Sequence, residues 1–293
     1  MEADIILSGN TRDLGGFSVV RSIPQAKKRN VGPFVFLDHM GPLLLTDTSK
    51  LDVRPHPHIG LSTVTYLFEG KGLHRDSLGH KQVIGPGDIN WMTAGKGIVH
   101  SERTPEEDLV GGKKMHGVQI WVALPKEDED CEPSFTHYSK TLLPKFKLQE
   151  AFDATLMIGK YGEHVSPVKA FAQMIFMELI SKRNFSGKLS YPEQEIGIFL
   201  IEGKATINNH ELKTDDIIIV KDPKNIELSV SENTRLIIIG GEPHPEPRFM
   251  WWNFVSSSKE KIRDAAQRWK DQAMGKVPEE NDFIPLPNDP LPQ

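Results

Sequence analysis

Two histidines flank a single proline in the segment Arg54-Pro55-His56-Pro57-His58, and a second short-spaced pair, His100 and Glu102, follows later in the chain. In an extended chain, residues two apart project from one face about 6.7 Å apart, so each pair can aim both side chains at one object. Imidazole is bulky, only partly polar and ionises near neutral pH, so several rings aimed together call for a shared partner. Three neutral imidazoles and one carboxylate suit a divalent metal. His56, His58, His100 and Glu102 are therefore the candidate metal ligands.

The elements that must position them are short strands. Pro55 and Pro57 remove two backbone donors and stiffen φ, which places His56 and His58 on an edge strand or an extended lead-in. His100 follows a strand and the turn Gly95-Lys96-Gly97. If hairpins bring the two segments together inside a barrel, the four groups form one inward-facing cluster.

Other histidines carry weaker patterns. His74 and Asp76 share the same spacing and His80 follows, but the segment reads as a Gly-rich hairpin, where solvent exposure is the simpler expectation. His116, just before Val118–Val122, is a candidate for a hydrogen bond behind a ligand, or a surface residue. His39, His137, His164, His210 and His244 have no companions at metal spacing. Cys131 sits in Glu127-Asp128-Glu129-Asp130-Cys131-Glu132, where negative neighbours disfavour the thiolate, and it is read as a bystander.

The 293 residues exceed the size at which a single core stops growing, so one large or two smaller domains are expected. Hydrophobic residues at 38% and charged residues at 26% are ordinary for a globular protein. No apolar run is long enough to cross a bilayer, and the start Met1-Glu2-Ala3-Asp4 is acidic where a secretory signal would be basic, which suggests a cytoplasmic protein without a membrane partner. A net charge of -5 disfavours direct nucleic-acid binding, and the one compact basic run, Lys27-Lys28-Arg29, reads as a solvated turn.

Strand signals dominate: Phe17 to Val20, Phe34 to Leu37, Ser62 to Phe68, Ile89 to Met92 and Val118 to Val122, then a second series, Gln173 to Leu179, Gly197 to Ile201, Ala205 to Ile207, Ile217 to Val220 and Arg235 to Ile239. The class is all-β, and the architecture repeats. Tyr66–Lys71 echoes Phe199–Lys204, each ending in Glu-Gly-Lys, and Asp88-Ile89 echoes Asp216-Ile217. One helix is expected near the C-terminus, with Ser257 and Glu260 as capping box, Ile262, Ala266, Trp269 and Ala273 as its apolar stripe, and Gly275 as its stop. The Pro-rich stretch from Phe283 to Pro292 is an extended tail, laid on the surface or loose in solution.

The segments PHPHIGLSTVTYLFEG, GPGDINWMTAGKGIVHSE and HGVQIWVALP, with VRSIP and PFVFLDHMGP before them, closely resemble the pirin family of the cupin superfamily. The resemblance is dense from about residue 12 to 125 and weaker beyond, where GGEP at 240–243 still fits. It implies two stacked cupin barrels of the double-stranded β-helix, or jelly-roll, type with a C-terminal helix. The implied division is a metal-binding N-terminal domain, 1–135, and a C-terminal cupin domain, 136–293, that lacks metal ligands and carries the helix and tail.

In pirin-like proteins the N-terminal barrel holds one metal, commonly iron, through residues matching His56, His58, His100 and Glu102. General cupins often carry a ligand glutamate where this chain has Ser62, and Glu102 supplies the carboxylate instead. The second barrel shows no His-x-His in Leu189–Glu195, and Asp222-Pro223-Lys224-Asn225 stands at the later histidine region. One divalent metal per chain follows, Fe(II) foremost, with Zn, Mn, Ni, Co or Cu as alternatives.

Some family members resemble quercetin 2,3-dioxygenases, which implies a metal-dependent dioxygenase acting with dioxygen on a flavonol such as quercetin, or on a related enolic or phenolic compound. Glu102 would be the catalytic base. Phe34, Phe36, Trp91 and Met92 are candidate walls for a flat aromatic substrate, against core packing for each. The competing class is a non-enzymatic, metal-based redox sensor acting through a protein partner, as in pirin-like nuclear co-regulators; the same four ligands serve either.

Overall fold

The computed structural model describes residues 3–14, 17–46, 49–109, 113–191 and 195–293. The chain divides into two compact units that are not consecutive stretches: one comprises Met1–Thr11, Val20–His39 and Thr141–Pro243, the other Arg12–Val19, Met40–Lys140 and His244–Gln293. All ten strand segments read from the sequence fall within observed strands to within one residue, and α-helix is confined, among the described residues, to Lys259–Lys270.

In the unit containing the histidines, one sheet orders Ser134–Tyr138, Ile89–Thr93, Leu61–Glu69 and Lys114–Ala123, continuing into the part of strand Phe34–Leu44 from Met40 onward. Facing it is a four-stranded sheet in the order Asp52–His58, Ile98–Arg103, Gly72–Asp76 and Lys81–Ile84. Strand Leu61–Glu69 shows how the sequence builds a polar interior. Both of its faces are covered, Val64 and Tyr66 being buried on one side and Thr63 and Thr65 on the other, so alternation here separates two interiors rather than core from solvent.

The other unit repeats this plan. Its four-stranded sheet orders Phe185–Leu189, Ile226–Val230, Ala205–Ile207 and His210–Leu212, with the same connectivity as the histidine-bearing sheet. The two Glu-Gly-Lys echoes are one turn used twice: Gly70 and Gly203 both adopt positive φ, 80° and 92°, directly after equivalent strands. Asp88 and Asp216 likewise each accept a hydrogen bond from the backbone N–H three residues earlier, of Gly85 and Lys213.

Superposing the two strand orders by register places Gly187, Leu189 and Leu228 at the positions of His56, His58 and His100. The ligand-equivalent positions of the second barrel are thus in Phe185–Leu189 and Ile226–Val230; of the segments singled out from the sequence, 189–195 reaches them only at Leu189 and 222–225 not at all, and residues 192–194 lie outside the described residues. The interior there is filled by Leu189, Ile207, Ile226 and Leu228 within a continuous apolar cluster.

The helix begins one residue later than the capping pattern suggests. Ser258 is the N-cap, its hydroxyl accepting from Lys261 N–H, while Ser257 donates to the buried Glu129. Ile262, Ala265, Ala266 and Trp269 cluster with Ile59, Val99 and Phe254, so helix and tail belong to the unit that carries the histidines. The helix ends at Lys270 with Asp271 as C-cap, ahead of Gly275. The tail is laid on the protein: Ile284 N–H donates to Pro55 C=O at 2.8 Å, and Trp269 Nε1 donates to Ile284 C=O at 3.0 Å.

Candidate metal centre

Strand Asp52–His58 is the edge of its sheet and pairs only with Ile98–Arg103, so its two prolines leave no broken ladder on the open side. His100 lies directly opposite His56, and Ile98 opposite His58. This register gathers three imidazoles: ring centroids are 5.0 Å apart for His56 and His58, 4.4 Å for His56 and His100, and 5.0 Å for His58 and His100. One nitrogen from each ring lies within 4.8 Å of the others. All three are buried, at 6%, 1% and 1% exposure, too dry for a charged ring to be solvated.

Burial pushes His56 down to about 4, against a hydrogen bond to Arg54 C=O that favours its charged form and with repulsion from His74 adding to the fall. His58 and His100 are lowered well below the ordinary value, by burial first and by the neighbouring histidines second. The rings are neutral at pH 7, the form that ligates metals.

Their hydrogen bonds settle which nitrogen is free. A carbonyl only accepts, so His56 Nδ1 donates to Arg54 C=O at 2.8 Å and His58 Nδ1 donates to Asn253 C=O at 3.1 Å. Each leaves its Nε2 with a bare lone pair. His58 Nε2 faces His100 Nε2 at 3.1 Å. The His58 lone pair is met there either by a hydrogen on His100 Nε2 or, with that hydrogen on the other nitrogen, by a cation that draws on both rings. The donor set fits a divalent metal.

Glu102 follows a bulge between His100 and Glu102. Among the described residues, the group with all ligand atoms within 4.8 Å is His56, His58 and His100; Glu102 stands beside it, its Oε1 3.3 Å from Thr65 Oγ1. Thr65 Oγ1 is also 2.8 Å from Gln119 Oε1, and one hydroxyl hydrogen cannot serve both fully. Burial raises the Glu102 carboxyl to about 7, partly offset by Thr65. A nearby dication would draw it back to the ionised form.

His74 and Asp76 are not exposed. His74 is 5% and Asp76 0% exposed, because Gly72–Asp76 is an inner strand of the sheet, paired to Ile98–Arg103 on one side and Lys81–Ile84 on the other. Asp76 lies opposite His100, and His74 opposite Glu102. His74 Nε2 donates to Asp76 Oδ2 at 3.0 Å, and its Nδ1 is 3.4 Å from His100 Nδ1. His74 stacks on Phe135, with centroids 4.2 Å apart and planes at 10°. The signal that could have found them was the repeated two-residue spacing; glycines at 70, 72 and 79 pointed to a loop instead.

The remaining candidates are spread more widely. Met92 lies opposite Thr63, on the Thr65 face of its sheet. Trp91 lies opposite Val64, on the reverse face, with its indole N–H on Thr93 Oγ1 at 3.0 Å. Phe34 and Phe36 fall in the other compact unit, where Arg21 covers the Phe36 ring. His116 is buried edge-on against Phe68, near Glu69, and is not among the clustered histidines. Trp121, which sequence reading did not single out, meets His58 edge-on at 5.1 Å.

The model of the Pirin family matches residues 16–122, and that of the Pirin C-terminal cupin domain matches residues 177–275. A Pirin-like protein of Caulobacter vibrioides is 39% identical over 97% of this chain and 99% of its own length. A Pseudomonas aeruginosa protein, by name a candidate quercetin 2,3-dioxygenase, is 35% identical over 88% of this chain and 80% of its own. A crystal structure of quercetin 2,3-dioxygenase from Acinetobacter baumannii superposes with a TM-score of 0.93 at 34% identity, covering 100% of this chain and 97% of that one. With matches to both cupin halves and near end-to-end similarity to a Pirin-like protein, the chain belongs to the pirin family.

Proposed function

We propose that the chain is a metal-dependent dioxygenase of the quercetin 2,3-dioxygenase kind, acting on a flavonol or a related enolic or phenolic compound. The observation that carries this reading is the convergence of three buried, neutral imidazoles, one ligand nitrogen of each lying within 4.8 Å of the others. Likeness to the Acinetobacter enzyme over the whole chain supports the substrate class. His56, His58 and His100 would hold one divalent ion, Fe(II) being our choice, with Glu102 as fourth ligand.

The ion would supply a Lewis acid to bind the substrate's hydroxyl and carbonyl oxygens and a redox centre for reaction with dioxygen. The chain's own residues do the rest. Glu102 takes the flavonol hydroxyl proton on a carboxylate oxygen, and Thr65, already against that carboxylate, steadies it. Trp121 holds the His58 ring in place from the opposite sheet, and apolar burial keeps water from the reacting atoms.

The test is oxygen uptake with quercetin by protein loaded anaerobically with Fe(II) and then aerated. Turnover is expected, with loss of the flavonol's visible absorbance, and Glu102→Gln should abolish most of it. Full iron occupancy without oxygen uptake would overturn the enzymatic reading and leave a metal-based redox sensor as the account of the same site.

A further inference from the structure

His100 is the one clustered histidine whose far nitrogen meets no carbonyl. Its Nδ1 faces His74 Nδ1 at 3.4 Å, and His74 Nε2 in turn meets Asp76 Oδ2 at 3.0 Å. A carboxylate oxygen only accepts, so the His74 proton on that side is on Nε2 and, in the neutral ring, its Nδ1 is an acceptor. His100 thus has one ring hydrogen and two facing acceptors, His74 Nδ1 at 3.4 Å and His58 Nε2 at 3.1 Å; a cation bound to the Nε2 atoms takes the second place and leaves the hydrogen on His100 Nδ1, where His74 accepts it.

We propose that Asp76 and His74 are positioning residues that keep the His100 proton on Nδ1 and so leave its Nε2 free for a divalent cation. The proposal rests on the metal reading above, since it is the cation on Nε2 that leaves the His100 hydrogen to this side. The arrangement is rigid at each joint. Phe135 stacked on His74 prevents that ring from turning. Asp76 is fully buried, and its Oδ1 accepts the backbone N–H groups of Leu78 at 2.9 Å and His80 at 3.1 Å, while the His80 ring donates at 3.0 Å. These donors, with His74, satisfy a buried charge that would otherwise be costly, and they fix which oxygen faces His74.

That fixed orientation makes Asp76→Asn an inversion rather than a deletion. The amide oxygen is retained by the two backbone N–H groups, so the amide nitrogen is placed against His74 Nε2. A donor there moves the His74 proton to Nδ1, which then donates to His100 and drives the His100 proton onto Nε2. His74→Phe instead keeps the stacked ring and removes the relay.

The experiment has two arms on the full chain: Zn(II) affinity by calorimetric titration, and, from ¹⁵N shifts, the tautomer of His74 in the metal-free protein. Asp76→Asn should weaken zinc binding about 10- to 100-fold, with a smaller loss for His74→Phe. The His74 hydrogen should lie on Nε2 in the parent and on Nδ1 in Asp76→Asn. Zinc affinity within about twofold of the parent, or an unchanged His74 tautomer in folded Asp76→Asn, overturns the proposal. If Asp76→Asn does not fold, parent-like affinity in His74→Phe overturns it equally. If the parent takes up no zinc, the metal reading fails, and the His74 tautomer still decides the relay.

Discussion

His58 Nε2 and His100 Nε2 stand 3.1 Å apart across neighbouring strands, and the His58 atom carries a bare lone pair. A cation bound there replaces the one hydrogen that the two rings can share. A divalent ion at 100 times its dissociation constant adds about 2.7 kcal/mol of stability, roughly 4–5 °C in Tm for a chain of this size. Thermal scans with and without Zn(II) check this; His58→Ala should abolish the rise, and an equal rise in that variant would count against the site.

Acid should destabilise the metal-free protein. Unfolded, His56 titrates near 6.5, and folded, at about 4. Between these values only the unfolded chain binds the proton, so the stability this neutral ring contributes is present above pH 6.5 and lost as the pH falls towards 4. His58 and His100, also lowered, act in the same direction. Glu102 acts oppositely: raised from 4.5 to about 7, its contribution is present below 4.5 and lost as the pH rises to 7. Three rings outweigh one carboxyl, so denaturant midpoints should fall from pH 6.5 to 4, and His56→Gln should flatten that slope.

Cys131 should be a sluggish thiol. Burial, then the charges of Asp128, Glu132 and Asp130, raise its ionisation above the ordinary value. Alkylation at pH 8 should run several-fold slower than for a free cysteine and leave zinc binding unaltered. A fast thiol, or one whose modification ejects metal, would show that it is no bystander.

Removing residues 281–293 should loosen the strand that carries the first two histidines. The cut deletes the hydrogen bond from Ile284 to Pro55, next to His56, and leaves the buried Trp269 indole N–H without its acceptor. Loss of that acceptor alone costs about 1–3 kcal/mol. A lowered Tm and faster hydrogen exchange over residues 52–58 are the expected readings; unchanged exchange there would show that the tail does not brace the site.

Much of this arrangement was legible in the sequence because strands alternate strictly. The spacing of His56 and His58 translated directly into a shared face, and of the two settings the prolines at 55 and 57 allowed, an edge strand or an extended lead-in, the edge strand is the one that forms. The Glu-Gly-Lys echo proved to be a conformational requirement for positive φ at Gly70 and Gly203. His74 and Asp76 were misjudged because their burial comes from two neighbouring strands, a non-local fact that local glycine content obscures. The helix start shifted by one residue because Ser257 had a nearby carboxylate, Glu129, to satisfy. The faces of Trp91 and Met92 depend on strand register, which a run of consecutive buried residues does not reveal.

The proposed centre brings three imidazole nitrogens and one carboxylate oxygen to a single ion in the first barrel. X-ray absorption of the Fe(II)-loaded chain, repeated on His100→Ala, tests it most directly. The account predicts one ion per chain in an environment of three imidazoles plus oxygen ligands, one of them lost in Glu102→Gln, and little retained iron in His100→Ala. A full complement of iron in His100→Ala, or an iron environment without imidazole, would contradict it.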